Sequence, residues 1–247
     1  MKLVASTSSW SNLHQSLSQL SKTNFKYLEF GEKQFFSMNP LDAKMIKVSA
    51  RNAGLTPLSV YFDAHLYVKP RQYSLEKDIK KTYEENFKPL NIQMAILGEA
   101  IRPKRPEKEE NKEGNLPAEE KKEEKEILVK DIAETFNMLY DEAKKYDLKL
   151  FFRPKKDGVI NSEEKIKEFL LLSEAGLCAD MDELEEMNID FEKFFTENKQ
   201  RILFINLNPE NGEKFKKNLD VVKEKEYEGF VVVCAGKDKI LESSAWL

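Results

Sequence analysis

Residues 202–233 read ILFINLNPENGEKFKKNLDVVKEKEYEGFVVV, and this stretch contains one complete strand–helix–strand unit. Its two ends, 202–207 and 230–233, are short apolar runs of the kind that forms parallel strands covered on both faces. Between them, Phe215, Leu219 and Val222 recur at helical spacing and share one face of an amphipathic helix. The stretch therefore predicts two buried parallel strands connected by a helix.

The same unit recurs along the whole chain of 247 residues. Apolar runs with helical patterns between them lie near residues 3–5, 27–30, 58–62, 92–97, 150–152, 177–179, 202–207 and 230–233. Eight such units of about 30 residues make up an α/β fold of the closed type, a (β/α)8 TIM barrel, as one domain spanning 1–247. An open doubly wound sheet is the alternative, but even repeats without a glycine-rich first turn favour the closed barrel.

The interval between the fourth and fifth strands is the exception, because it is longer by a charged tract at residues 102–126. Only Leu116 and Ala118 are apolar in this tract of Lys, Glu, Pro and Asn, so we expect a disordered insertion in the loop after strand 4. Active sites of such barrels lie at the carboxyl ends of the strands, where this loop begins. The tract is interpreted as a tolerated surface insertion, with a lid or a docking arm as the alternative.

Composition excludes several classes of protein. The chain has 40 basic and 44 acidic residues, a net charge of −4, which gives no general attraction for nucleic acid or anionic membrane. No apolar run approaches the ~20 residues that span a bilayer. Two cysteines make neither a disulfide framework nor a thiolate metal site. These features predict a cytoplasmic globular protein.

Four segments resemble the xylose isomerase-like superfamily, which includes sugar-phosphate isomerases, epimerases and endonuclease IV. They are LSKTNFKYLEF (20–30), DAKMIKVSARNAGLTPL (42–58), EAGLCAD (174–180) and YEGFVVV (227–233). The resemblance implies a divalent metal, held at the strand ends by Glu, Asp, His and Glu, which polarises a carbonyl while a carboxylate moves a proton. It extends over the chain apart from the charged tract.

The sequence departs from that ligand set at most of its positions. The fifth-strand Glu falls on Arg153, and the Asp after the sixth strand is present as Asp180. The remaining expected ligands fall on Glu183, Asn206 and Cys234, and a His that often ends the third strand falls on Tyr61. Because a guanidinium stays protonated and repels a divalent cation, we expect no metal, with Arg153 paired to Asp180, Glu183 or Glu29 instead. Endonuclease-type DNA binding would need a larger metal set and a basic groove, so nucleic acid is not expected as a partner.

Ten residues are candidates for a site at the barrel mouth. The acid–base candidates are Glu29, His65, Glu99, Asp180 and Glu183, and the ligand-binding candidates are Tyr61, Arg153, Asn206, Cys234 and Lys237. Arg153 beside Cys234 would lower the pKa of that thiol. Lys237 follows the eighth strand, where barrels often bind phosphate.

The sequence supports three hypotheses about function. The first is a degenerate isomerase-like barrel without cofactor or metal, which binds a sugar, a sugar phosphate or another anion, or has a regulatory role. The second is an active sugar or sugar-phosphate isomerase or epimerase with a relocated carboxylate site. The third is a scaffold that docks partners through the charged tract, an idea that unchanged pull-downs after deletion of 103–126 would reject. The short closing segment 242–247 leaves room for a homo-oligomer or a protein partner.

Overall fold

Eight parallel strands close into a barrel in which each strand pairs with the next in sequence and β8 pairs with β1. The computed structural model describes residues 1–8, 10, 13–100, 127–210, 212–245 and 247. The strands are β1 (Lys2–Ser6), β2 (Tyr27–Gly31), β3 (Thr56–Ala64), β4 (Met94–Glu99), β5 (Lys149–Arg153), β6 (Gly176–Asp180), β7 (Ile202–Leu207) and β8 (Phe230–Val233). The predicted (β/α)8 barrel is confirmed over the open sheet, and the tract 102–126 lies outside the described residues.

Helices connect the strands and form an outer layer. They are α1 (Leu13–Leu20), α2 (Glu32–Ser37), α3 (Pro40–Asn52), α4 (Gln72–Thr82), α5 (Lys88–Leu90), α6 (Val129–Lys144), α7 (Glu163–Leu172), α8 (Met181–Glu186), α9 (Phe191–Asn198), α10 (Gly212–Glu224) and α11 (Lys237–Ser243). A π-helix, Tyr83–Phe87, joins α4 to α5. Among the described helices, none has the length and apolar character needed to cross a membrane.

Local sequence accounts for where these helices begin and end. Asn39 caps α3 by accepting hydrogen bonds from the amides of Leu41 and Asp42, and Pro40 follows at the first helical position, where its missing N–H costs nothing. Gly54, at φ 71°, makes the left-handed turn that leads from α3 towards β3. A short helix that the sequence pattern did not indicate, α2, precedes α3.

The barrel interior is filled by one face of the strands, since side chains alternate between the two faces of a sheet. An inner cluster contains Val4, Ile96, Phe151, Cys178, Phe204 and Val232, whereas their neighbours pack outward against the helices in a separate core. Two residues further along four of these strands, the same alternation places Arg153, Asp180, Asn206 and Cys234 above the inner cluster. The apolar layer thus forms the floor of a polar mouth.

Candidate ligand site at the barrel mouth

An ion pair between neighbouring strands dominates the mouth. An Nη nitrogen of Arg153, the last residue of β5, lies 2.5 Å from Oδ2 of Asp180, the last residue of β6. The two side chains are only 16% and 11% exposed. Although burial opposes its charge, the Asp180 carboxylate and the Tyr61 phenol raise the pKa of Arg153, so the guanidinium stays charged. This is one of the pairings expected from the sequence.

Neighbouring groups fix both members of the pair. The guanidinium carbon of Arg153 lies 4.6 Å from the centre of the Tyr61 ring, a cation–π geometry. Asp180 accepts hydrogen bonds at Oδ1 from the amides of Asp182 and Glu183, which caps α8. Asn206 Nδ2 donates to Asp180 Oδ2 over 3.4 Å. One donor is left over, because the buried Nε of Arg153 has no hydrogen-bond partner among the described residues.

Glu29, at the centre of β2, is a buried carboxyl group close to this pair. Its side chain is 2% exposed and accepts a 3.4 Å hydrogen bond from the Ser59 hydroxyl. Burial raises the pKa of Glu29 to about 7, against the opposing effects of Arg153 and of hydrogen bonds from Ser6 and Ser59. Glu29 therefore gains and loses a proton near neutral pH, which is the property of a general acid or base.

A second ion pair borders the mouth and was not found from the sequence. The Tyr61 hydroxyl donates to Asp63 Oδ1 over 2.6 Å, and Lys155 Nζ lies 2.9 Å from Asp63 Oδ2. Burial raises the pKa of Tyr61, so the phenol stays protonated and keeps donating. Side chains alternate along β3, so Asp63 lies on the same face as Tyr61, and this alternation could have identified Asp63 from the sequence. Lys155 lies in the loop after β5, and the alternation along a strand does not indicate which way a loop side chain points.

Two predicted acid–base residues, Glu99 and Glu183, are bound to the loop that follows β5. Glu99 at the end of β4 accepts hydrogen bonds from the amides of Val159, at 2.9 Å, and Ile160, at 3.4 Å. Burial raises the pKa of Glu99. Glu183 Oε2 accepts a 2.9 Å hydrogen bond from the amide of Lys156. Both carboxylates therefore position backbone in the wall of the mouth.

The other predicted residues lie at different depths. His65 is exposed and its Nδ1 lies 2.8 Å from the Tyr67 hydroxyl, beyond the end of β3. Lys237 is the first residue of α11, after β8. Cys234 lies beside Ser6 near Glu29 and Arg153, and burial raises the pKa of its thiol despite Arg153. Arg153 lowers this pKa as expected, but loss of hydration outweighs the nearby cation, so the net change in the pKa is upward.

The residues present do not fit the divalent metal that the family resemblance implies. The carboxylate at the sixth-strand position is already paired with a guanidinium, and the fifth-strand position is that guanidinium. The remaining positions supply an amide, Asn206, a thiol that burial keeps protonated, Cys234, and the Glu183 carboxylate, which accepts a hydrogen bond from the Lys156 amide. A cation among these groups would compete with the Arg153 charge within a few ångströms, a repulsion of several kcal/mol even in a polar interior. The chemistry that these residues support therefore includes no step on a metal.

Comparison with solved structures shows the same fold in sugar isomerases and epimerases and in an endonuclease. A sugar phosphate isomerase/epimerase from Parabacteroides distasonis superposes with a TM-score of 0.70 at 14% identity, over 99% of this chain and 92% of the other. A 3-keto-D-glucoside 4-epimerase from E. coli gives 0.70 at 14% identity, over 100% and 98%. An AP endonuclease of family 2 from Brucella melitensis gives 0.71 at 12% identity, over 99% and 98%.

The sequence comparisons add no closer relative. No family model matches the chain, and no curated protein matches it. At these identities the structural matches show the fold alone, a (β/α)8 barrel shared with these proteins over nearly the full chain. The resemblance inferred from the four sequence segments is confirmed at this level.

Proposed function

We propose that this protein is a sugar isomerase-like barrel in which the Arg153–Asp180 ion pair replaces the divalent metal, and that its mouth binds a small sugar or sugar phosphate. The observation that carries the proposal is the 2.5 Å contact between a guanidinium and the carboxylate at an expected ligand position. A fixed side-chain cation then supplies the positive charge that a metal would supply, without requiring metal for binding.

The polar groups of the mouth suit a polyhydroxylated ligand. Among the described residues of the mouth, Arg153 and Lys155 are each paired with a carboxylate, so neither brings an uncompensated charge. Hydroxyl and carboxyl groups of Ser59, Tyr61 and Glu29 offer hydrogen-bond donors and acceptors of the kind that sugar hydroxyls bind. The partnerless Nε of Arg153 supplies one further donor for a ligand oxygen. The printed names of two structural neighbours, a sugar phosphate isomerase/epimerase and a 3-keto-D-glucoside 4-epimerase, support the same ligand class.

A second candidate function is a metal-independent isomerase or epimerase, and the pKa of about 7 at Glu29 favours it. In this reaction the ionised carboxylate of Glu29 removes a proton from the carbon next to a carbonyl. The carbonyl oxygen gains negative charge and accepts a hydrogen bond from Arg153. Protonated Glu29 then returns the proton to the same carbon on its other face after the ligand turns, which is epimerisation. For isomerisation, the hydroxyl proton of the enediolate first moves to the former carbonyl oxygen, and Glu29 then protonates the former carbonyl carbon, so that the carbonyl forms on the neighbouring carbon. Among the five acid–base candidates, Glu29 fits best because it is buried beside Arg153 without being bound to loop backbone.

Thermal melts with a panel of aldoses, ketoses and their phosphates test both functions. We expect at least one member to raise the melting temperature by several degrees at saturation, since a ligand that binds only the folded state stabilises it. Arg153→Lys should weaken this response, because lysine keeps the charge but lacks Nε. Arg51→Lys, at an exposed arginine on α3, is the matched control and should leave it unchanged.

The same samples, held in D₂O and followed by NMR, separate a binding protein from an enzyme. Binding without deuterium uptake at carbon supports the first function. Uptake that is lost in Glu29→Gln supports the second. The absence of any ligand-dependent shift across the panel would contradict both.

A further inference from the structure

A second cavity lies outside the barrel, between its wall and the helices that cover β3 and β4. It has a volume of about 210 Å³. Its floor includes the outward-facing residues Ala95 and Leu97 of β4, which belong to the outer core and not to the cluster inside the barrel. One wall is α4 with Leu75 and Ile79, and the opposite wall is α6 with Leu139 and Ala143. The cavity is therefore separate from the polar mouth.

The space exists because small side chains face it and a helix widens beside it. Ala95 and Ala143 are both buried, and a larger side chain at either position would occupy part of the volume. On the α4 side the helix continues into the π-helix Tyr83–Phe87, whose last residue also lines the cavity. Single π-helical turns inside α-helices are rare and frequently occur at functional sites. The pocket is partly open to solvent, since the lining residues Phe36 and Asp78 are exposed.

The lining determines what the cavity accepts. Apart from Asp78 and Thr82 on α4, the lining residues are all apolar, and they include Phe36, Phe62 and Phe87. Water gains few hydrogen bonds against such a lining, and enclosed cavities of about 150 Å³ with apolar linings stay dry and bind benzene. By that scale, 210 Å³ holds a molecule on the order of eight to ten carbons. The Asp78 carboxylate, exposed at the lining, disfavours a negatively charged head group.

We propose that this cavity is a binding site for a small uncharged apolar molecule, such as a medium-length alkyl chain with a neutral head group. A hydrophilic ligand does not suit the site. Nearly all of the lining residues are apolar, so the polar groups of such a ligand would lack hydrogen-bond partners.

Titration with 1-octanol, followed by calorimetry and thermal melting, tests the site. Wild type should bind one molecule per chain, with a rise in melting temperature of about 5 °C when the ligand is far above its dissociation constant. Octanoate has the same chain length with a carboxylate and should bind several-fold more weakly. Ala143→Leu fills the cavity from α6 and should weaken octanol binding at least tenfold. Lys130→Leu adds the same side chain to an exposed position of the same helix and should leave binding unchanged.

Ala95→Val, a smaller change in the floor, provides the same test if Ala143→Leu does not fold. Loss of octanol binding in either cavity variant, with binding retained in Lys130→Leu, supports the proposal. Wild type without saturable binding would overturn it. So would octanol binding that survives in both cavity variants, and octanoate binding as tight as octanol would overturn the assignment of a neutral head group.

Discussion

Replacing Arg153 by methionine is expected to destabilise the folded protein by about 3 kcal/mol, because breaking a buried ion pair leaves the other charge uncompensated. Asp180 is 11% exposed at its side chain, so little water reaches the carboxylate that remains. Methionine keeps the length of the arginine stem and limits the loss of packing. In urea unfolding the midpoint should fall accordingly, and the melting temperature should drop by about 6–12 °C.

The double variant Arg153→Met/Asp180→Asn separates charge from packing. Asparagine still caps α8 through its side-chain oxygen, and no unpaired charge is left in the mouth. We expect this variant to recover most of the stability that the single variant loses. Arg51→Met, at an exposed position, should change stability by no more than about 0.5 kcal/mol. A single variant as stable as wild type, or a double variant no better than the single one, would contradict the role assigned to the pair.

Replacing Glu29 by glutamine is expected to change how stability depends on pH. The pKa of Glu29 is about 7 in the folded protein and 4.5 as an ordinary side chain, so the folded state binds more protons between these values. The stabilising effect of this proton uptake is fully present below pH 4.5 and is lost as pH rises through 7. The difference corresponds to about 3 kcal/mol at pH 8, at about 1.4 kcal/mol for each pH unit.

Glutamine has nearly the same shape and does not ionise, so Glu29→Gln should be more stable than wild type at pH 8 by up to about 3 kcal/mol and similar to it near pH 4.5. Urea unfolding of both proteins across this pH range measures the difference directly. Glu228→Gln, at an exposed carboxylate, should follow the wild-type curve. A constant difference between Glu29→Gln and wild type at every pH would show that the pKa of Glu29 is the same in the folded and unfolded states, which would contradict the prediction.

Sequence was sufficient for the fold, and it limited the partner of Arg153 to Asp180, Glu183 or Glu29, because both inferences depend on alternation. The apolar runs located all eight strands, and the run ending at Arg153 fixed its register, so that Arg153 and Asp180 met at adjacent strand ends. All the parallel strands of a barrel end on the same side, and each strand lies next to the strands that precede and follow it in sequence.

The contacts that loops make could not be predicted from the sequence, and the reason is physical. Lys155 reaches Asp63 and the Val159 amide reaches Glu99 because of backbone directions in the loop after β5, which no periodic pattern encodes. The sequence therefore does not indicate that the Glu99 carboxylate accepts hydrogen bonds from that backbone. The cavity beside α6 depends on how side-chain volumes add up in three dimensions, and Ala143 alone gives no indication of it.

Metal analysis of the purified protein, combined with thermal melts in EDTA, Mn²⁺, Zn²⁺ and Mg²⁺, tests most directly whether Arg153 replaces the metal. We expect no stoichiometric metal and melting temperatures that agree within about 1 °C under all four conditions, because Asp180 is already paired with the guanidinium. One metal ion per chain, or a rise of several degrees with any of the three ions, would contradict the replacement of the metal by Arg153.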